Sequence, residues 1–107
     1  MKKVLSSLVK NKKDSQWTIF TNHGRVLILL SLTPDITIRE LSSVTGITER
    51  AIQRILADLQ ETSYITVVKQ GRNNSYILNL NQNFRHPVES HVKIKSMISA
   101  INKKDKK

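Results

Sequence analysis

The stretch LSSVTGITERAIQRILADL, residues 41–59, limits the possible folds of this chain more than any other. Gly46 lies between two runs with helical apolar spacing. Glycine enters the left-handed region without steric cost, so a helix ending there can reverse sharply. Four residues earlier, Ser42 is small enough to let two helices cross closely. Leu41, Ile47, Ile52 and Ile55 supply apolar contacts to lock them together. Each match is weak alone; together they specify two short helices joined by a tight turn.

The flanking sequence supplies the boundaries. Thr37-Ile38-Arg39-Glu40 has the spacing of a capping box, starting a helix over residues 38–44. Thr48 caps the next, residues 49–61. Upstream, residues 21–32 form a helix whose VLILL run is buried, ended by Thr33-Pro34-Asp35 because proline lacks a backbone donor. Trp17 and Phe20, just before it, are expected to anchor the core. Downstream, YITVVK (64–69) and SYILNL (75–80) read as strands. The intervening QGRNN is a hairpin tip, with glycine and asparagine where positive φ is needed. After the NQNFRHP connector, Pro87 suits the first turn of a last helix. In that helix Val88, His91, Ile94, Ile98 and Ile101 recur at intervals of three and four, an apolar stripe that predicts a dimer interface.

The predicted architecture is mainly α with a small β-hairpin wing, an α+β arrangement. It is a winged helix-turn-helix: a three-helix core plus N- and C-terminal helices. Residues 1–15 form a basic extension or short helix, in which Val4, Leu5, Leu8 and Val9 could pack on the body or a second subunit. Residues 16–81 form the winged domain, 82–101 the connector and dimerisation helix, and 102–107 a basic tail.

Charge matters through its placement. Of the net +10, residues 1–13 carry five lysines and no acid, and residues 102–107 four lysines and one aspartate. Residues 14–101 hold nine basic and seven acidic side chains, so most of the excess lies at the two ends. Solubilising tails and tails that touch nucleic acid both fit. No apolar run approaches the ~20 residues of a membrane span, and no secretory h-region is present. The absence of cysteine excludes disulfides and thiolate metal sites, and fits a reducing compartment.

Projection at about 100° per residue separates two faces of the second motif helix. Ile52, Ile55, Leu56 and Leu59 fall on one side; Arg50, Arg54, Ala57 and Glu61 fall opposite, with Gln53 at their edge. Arginine pairs bidentately with guanine and glutamine with adenine in the major groove, and Ala57 permits close approach. The charge order is also unusual. The helix dipole favours early acids and late bases, whereas Arg50 and Arg54 come early and Asp58 and Glu61 late. At the hairpin, Lys69, Arg72, Asn73 and Asn74 offer donors suited to phosphate or minor groove. Thr37, Arg39 and Thr48 lie at helix starts, where phosphates also bind, although capping is their first role. An ordinary solvated face and an exposed turn are the plainer readings of the same residues.

These segments, with WTIFTNHGRVLILL and FRHP, resemble the small bacterial and archaeal winged-helix transcription regulators of the MarR/ArsR-like kind, over residues 17–87. The resemblance implies a homodimer that inserts the second motif helix into successive major grooves of double-stranded DNA. Thr48, Arg50, Gln53 and Arg54 would be helix contacts, and Arg72, Asn73 and Asn74 wing contacts. The cysteine metal site of the metal sensors is absent. The long helices that form the effector pocket of larger relatives do not fit this length, which counts against a small-molecule effector.

No catalytic site is expected. His23, His86 and His91 lack any nucleophile–base motif, and there is no phosphate-binding glycine loop. His86 and His91, about 140° apart around a helix, do not form a metal pair. His91 reads as a packed or interface histidine. No cofactor or metal is implied. The leading expectation is a sequence-specific, double-stranded DNA-binding regulator, a homodimer in the cytoplasm on the nucleoid, with no membrane role. A winged-helix protein-interaction module and a nonspecific basic nucleic-acid binder remain alternatives.

Overall fold

The computed structural model describes residues 17–103. The expectations for residues 4–9 and for most of both lysine-rich ends fall outside that range. Four helices and one hairpin follow in the order α1 (Asn22–Leu32), α2 (Ile38–Thr45), α3 (Glu49–Glu61), β1 (Ile65–Gln70), β2 (Asn73–Leu78) and α4 (Ile94–Asn102).

α1 lies at the centre, packed against α2, α3, β2 and α4. Its VLILL run explains this: Val26, Leu27, Leu29 and Leu30 are all buried, so more than one side needs a neighbour. Past Pro34 the chain touches the sheet, where the Tyr76 N–H donates to the Pro34 carbonyl at 2.9 Å.

α2 begins with the full capping box. The Glu40 N–H donates to Thr37 Oγ1 at 3.1 Å, and the Thr37 N–H donates to Glu40 Oε1 at 3.0 Å. It ends at Gly46, whose φ of 81° is the left-handed stop. Ser42 contributes more than small size, because its Oγ donates to the Ile47 carbonyl at 2.6 Å and ties α2 to the chain entering α3.

α3 opens on the Thr48 hydroxyl, which accepts from the Ala51 N–H at 3.0 Å. It buries Ile52, Ile55, Leu56 and Leu59. It closes with Ser63 in the left-handed region at φ 67°, the Tyr64 N–H donating to the Leu59 carbonyl and the Ser63 N–H to that of Gln60. That is a Schellman ending with serine where glycine is preferred.

The hairpin is antiparallel, with Ile65 opposite Leu78 and Gln70 opposite Asn73. Its two-residue loop is therefore Gly71-Arg72. Only Gly71 takes positive φ, at 69°, as in a type II′ turn. This corrects the expected tip: Asn73 and Asn74 are the first residues of β2, and neither needs positive φ.

The core joins α1, α2, α3, both strands and Ile94 of α4. Two expectations fail against it. Trp17 is 85 % exposed and Phe20 37 %, so neither is buried as an anchor. Instead, the Thr18 hydroxyl donates to the Phe20 carbonyl and accepts from Arg25 Nη2, holding the approach segment against the outside of α1.

The second concerns the last helix. Residues 87–91 form turns, and α4 starts only at Ile94. The connector folds on itself: the Phe84 N–H donates to the Val92 carbonyl, Asn83 Nδ2 to that of Ser90, and Asn83 bridges Lys93. Such cross-loop bonds hold Lys93 extended and delay the helix. The apolar stripe is consequently split. Ile94 and Ile98 are buried within the chain's own fold, whereas Val88, His91 and Ile101 are exposed. Ile94 and Ile98 therefore cannot serve as a free dimer face. α4 instead adds Ile94 to the core, and Asn102 Nδ2 ties its end to Ser31 Oγ of α1 at 3.0 Å.

Candidate nucleic-acid interface

The sequence places Arg50 and Arg54 one turn apart, and α3 carries them out of the fold. Its packing side is closed by Ile52, Ile55, Leu56 and Leu59. Arg50, Gln53, Arg54, Ala57 and Glu61 are all exposed, and the first three make no hydrogen bond or ion pair among the described residues. Their long side chains are free to meet a partner's acceptors. Guanidinium and carboxamide groups can form two parallel hydrogen bonds with a base edge or with a phosphate.

At the starts of α2 and α3, Thr37, Arg39 and Thr48 are exposed. The two threonine hydroxyls already accept capping bonds, which leaves their own hydrogens available to donate. The hairpin presents Lys69, Arg72 and Asn73 exposed and Asn74 half-buried. Lys69 and Asn74 face each other across the ladder, as do Gln70 and Asn73, so these four side chains come as two cross-strand pairs flanking the turn. α3 packs on β1, which fixes the hairpin relative to that helix.

The late acidic charge of α3 has an internal partner. Asp58 Oδ2 accepts from His23 Nε2 at 2.8 Å, joining the last turns of α3 to the first turn of α1. Asp58 is thus held by the fold. Glu49, in the first turn, also restores the acidic residue the dipole favours there.

A second feature has no counterpart in the sequence reading. A hollow of about 730 Å³ lies between the approach to α1, the end of α3, the connector and α4. Ile19, Phe20, Leu27, Leu59, Phe84 and Met97 give it apolar walls, and His23, Arg85, His86 and Glu89 reach it from the connector and α1. A helix-interior glycine, Gly24, also lines it: a Cβ there would lie 3.4 Å from the Phe20 ring. Glycine inside a helix costs roughly 0.5–1 kcal/mol relative to alanine. That cost, with the charged run Arg85-His86-Pro87-Val88-Glu89, is the sequence signal that marks the place. Beneath it the Tyr64 hydroxyl donates to the Asn83 carbonyl at 3.1 Å. Burial pushes the Tyr64 phenol above its ordinary range, and the Glu89 charge adds to this; the backbone N–H and guanidinium of Arg85 act the other way.

No group of three or more His, Cys, Asp or Glu side chains able to hold a metal occurs among the described residues. No described helix is long and apolar enough to cross a membrane.

Three helices with a tight Gly46 turn, followed by a two-stranded hairpin, make this fold a winged helix-turn-helix. Residues 20–66 are similar to a family described as winged helix-turn-helix DNA-binding, and match its model from the approach to α1 into β1. Comparisons with curated proteins and with solved structures found no match.

Proposed function

We propose that this protein is a sequence-specific, double-stranded DNA-binding transcription regulator of the MarR/ArsR-like kind, acting as a homodimer. One observation carries the reading: Arg50, Gln53 and Arg54 project from one edge of α3 with no partner in the described fold. In a winged helix-turn-helix that edge is the one that fits a major groove. Arg50 and Arg54 would read guanine edges and Gln53 an adenine. Lys69, Arg72, Asn73 and Asn74 would hold phosphates or enter the minor groove. Thr37, Arg39 and Thr48 would fix the helix starts on the backbone. The similarity of residues 20–66 to DNA-binding domains supports the same partner.

Two-fold symmetry would set the two recognition helices about 34 Å apart, or a multiple of that, on a pseudo-palindrome. With Ile94 and Ile98 committed to the core, the exposed Val88, His91 and Ile101 are what remains of the expected interface. Regulation by promoter occupancy, in the cytoplasm on the nucleoid, follows from this reading.

Selection of bound fragments from random duplex DNA, followed by titration of the winner, tests it. Arg54→Ala should cost roughly 1–3 kcal/mol and relax preference at one base pair. Retention of full affinity and preference by Arg54→Ala and Arg50→Ala alike would remove the major-groove reading. Sedimentation of the wild type tests the dimer; a monomer at concentrations that saturate the duplex would refute it.

A further inference from the structure

The hollow beside α1 is larger than packing requires, and its volume lies within the roughly 300–1,000 Å³ of small-molecule sites. Its walls are side chains the core leaves incompletely covered: Phe20 is 37 % exposed, and Phe84 and Met97 are only partly buried. The connector that bounds it is braced at both ends. The Tyr64 hydroxyl and the bridge to Lys93 hold Asn83, while the Phe84 N–H bonds across to Val92.

The charges of the connector at this hollow are two and opposite. Arg85 and Glu89 both line it, four residues apart, and no ion pair joins them among the described residues. A simple carboxylate placed there would be attracted by Arg85 and repelled by Glu89; a simple amine would meet the reverse. An occupant carrying both charges next to an apolar body satisfies each. His86 adds direction. Its Nδ1 accepts from the Val88 N–H at 3.1 Å, so the neutral ring keeps its proton on Nε2 and can donate to a carboxylate.

We propose that this hollow binds a free α-amino acid with a large apolar side chain, carboxylate toward Arg85 and His86, ammonium toward Glu89, and side chain between Phe20, Leu59 and Phe84. Leu59 belongs to the packed side of α3, so the occupant touches that helix away from Arg50 and Arg54. The site does not depend on the DNA-binding reading, because occupancy is measured with no nucleic acid present.

The test is calorimetric titration of the full chain with L-phenylalanine and L-leucine, alongside N-acetyl-L-phenylalanine, L-phenylalaninamide and 3-phenylpropionate. Trp17, the single tryptophan, gives a second readout by fluorescence, because it lies two residues before Ile19 of the wall in the chain. Phenylalanine should bind at least about tenfold more tightly than either its acetylated or its amidated form, the scale of one charge-assisted hydrogen bond. Arg85→Gln should erase the preference over the amide, and Glu89→Gln the preference over the acetylated form. The wild-type comparison decides even if a variant unfolds. Absence of binding by either amino acid at millimolar concentration overturns the proposal. So does equal binding of phenylalanine and 3-phenylpropionate, which would make the site one for organic anions.

Discussion

At Ser63 the chain leaves α3 through a backbone conformation that serine adopts reluctantly. A left-handed φ costs a residue with a Cβ roughly 1–2 kcal/mol, and the Schellman bonds from Ser63 and Tyr64 hold it there. Glycine relieves that strain, though it loses more freedom from the unfolded chain. Ser63→Gly should therefore raise stability by about 0.5–1 kcal/mol, read as a higher urea midpoint with unchanged slope. Tyr64, next in sequence, links the fold to pH. Its folded pKa is raised above the ordinary 10.0, chiefly by burial. The contribution of its neutral phenol is thus complete below pH 10 and lost as pH climbs through the raised folded value. Thermal melts from pH 8 to about 11 should show this decline, and Tyr64→Phe should flatten it. Single positions also mark where a sequence misleads. Aromatics at helix junctions usually point inward, which puts Trp17 in the core on paper. Nothing local reveals that Thr18 and Arg25 pin this approach on the outer surface.

Among the elements, those with chemically marked ends are legible. The second motif helix is expected at residues 49–61 and occurs as Glu49–Glu61, because Thr48 announces its start and the apolar face its extent. The capping box of α2 is equally readable; Thr37→Ala should remove about 1 kcal/mol of stability and loosen α2 before the rest. Hydrogen exchange at the first α2 amides would report it, and unchanged protection would show the cap to be redundant. The hairpin is legible as strands but its register is not. The expected pairing places both asparagines in the tip, whereas the II′ pattern at Gly71 shortens the loop to two residues. The final helix shows the limit of periodicity. Residues 88–101 have the spacing of an amphipathic helix, yet the bonds from Phe84 to Val92 and Asn83 to Ser90 close a loop first. Local pattern does not contain such cross-loop partners.

For the whole molecule, the three-helix core plus wing can be read from the chain because each helix declares its own apolar face. The hollow cannot, because it is made by residues from 19 to 97 meeting only in the fold. The same holds for the His23–Asp58 link, which spans 35 positions and accounts for an acid that looks misplaced on α3. Charge distribution is the property that sequence reports most directly at this scale. If the lysine-rich ends bind DNA only through its phosphates, removing residues 1–13 and 103–107, which keeps the Asn102 bond to Ser31, should leave base preference intact. The slope of log affinity against log salt should then fall by roughly 0.9 for each phosphate that the ends no longer neutralise. Equilibrium titrations between low and physiological salt would measure this, and an unchanged slope would show that the ends are only solubilising.

The bond from Ser42 to the Ile47 carbonyl spans the turn at Gly46 and bears on mechanics. It denies the glycine any role as a hinge, since bending there would break a short bond anchored in the body of α2. A torque applied to the exposed edge of α3 is therefore carried into α2 and its buried Leu41, and the two helices tilt as one lever. Any reorientation of that edge must carry α2 and α3 together over α1, and it must break the His23–Asp58 bond that joins α3 to α1.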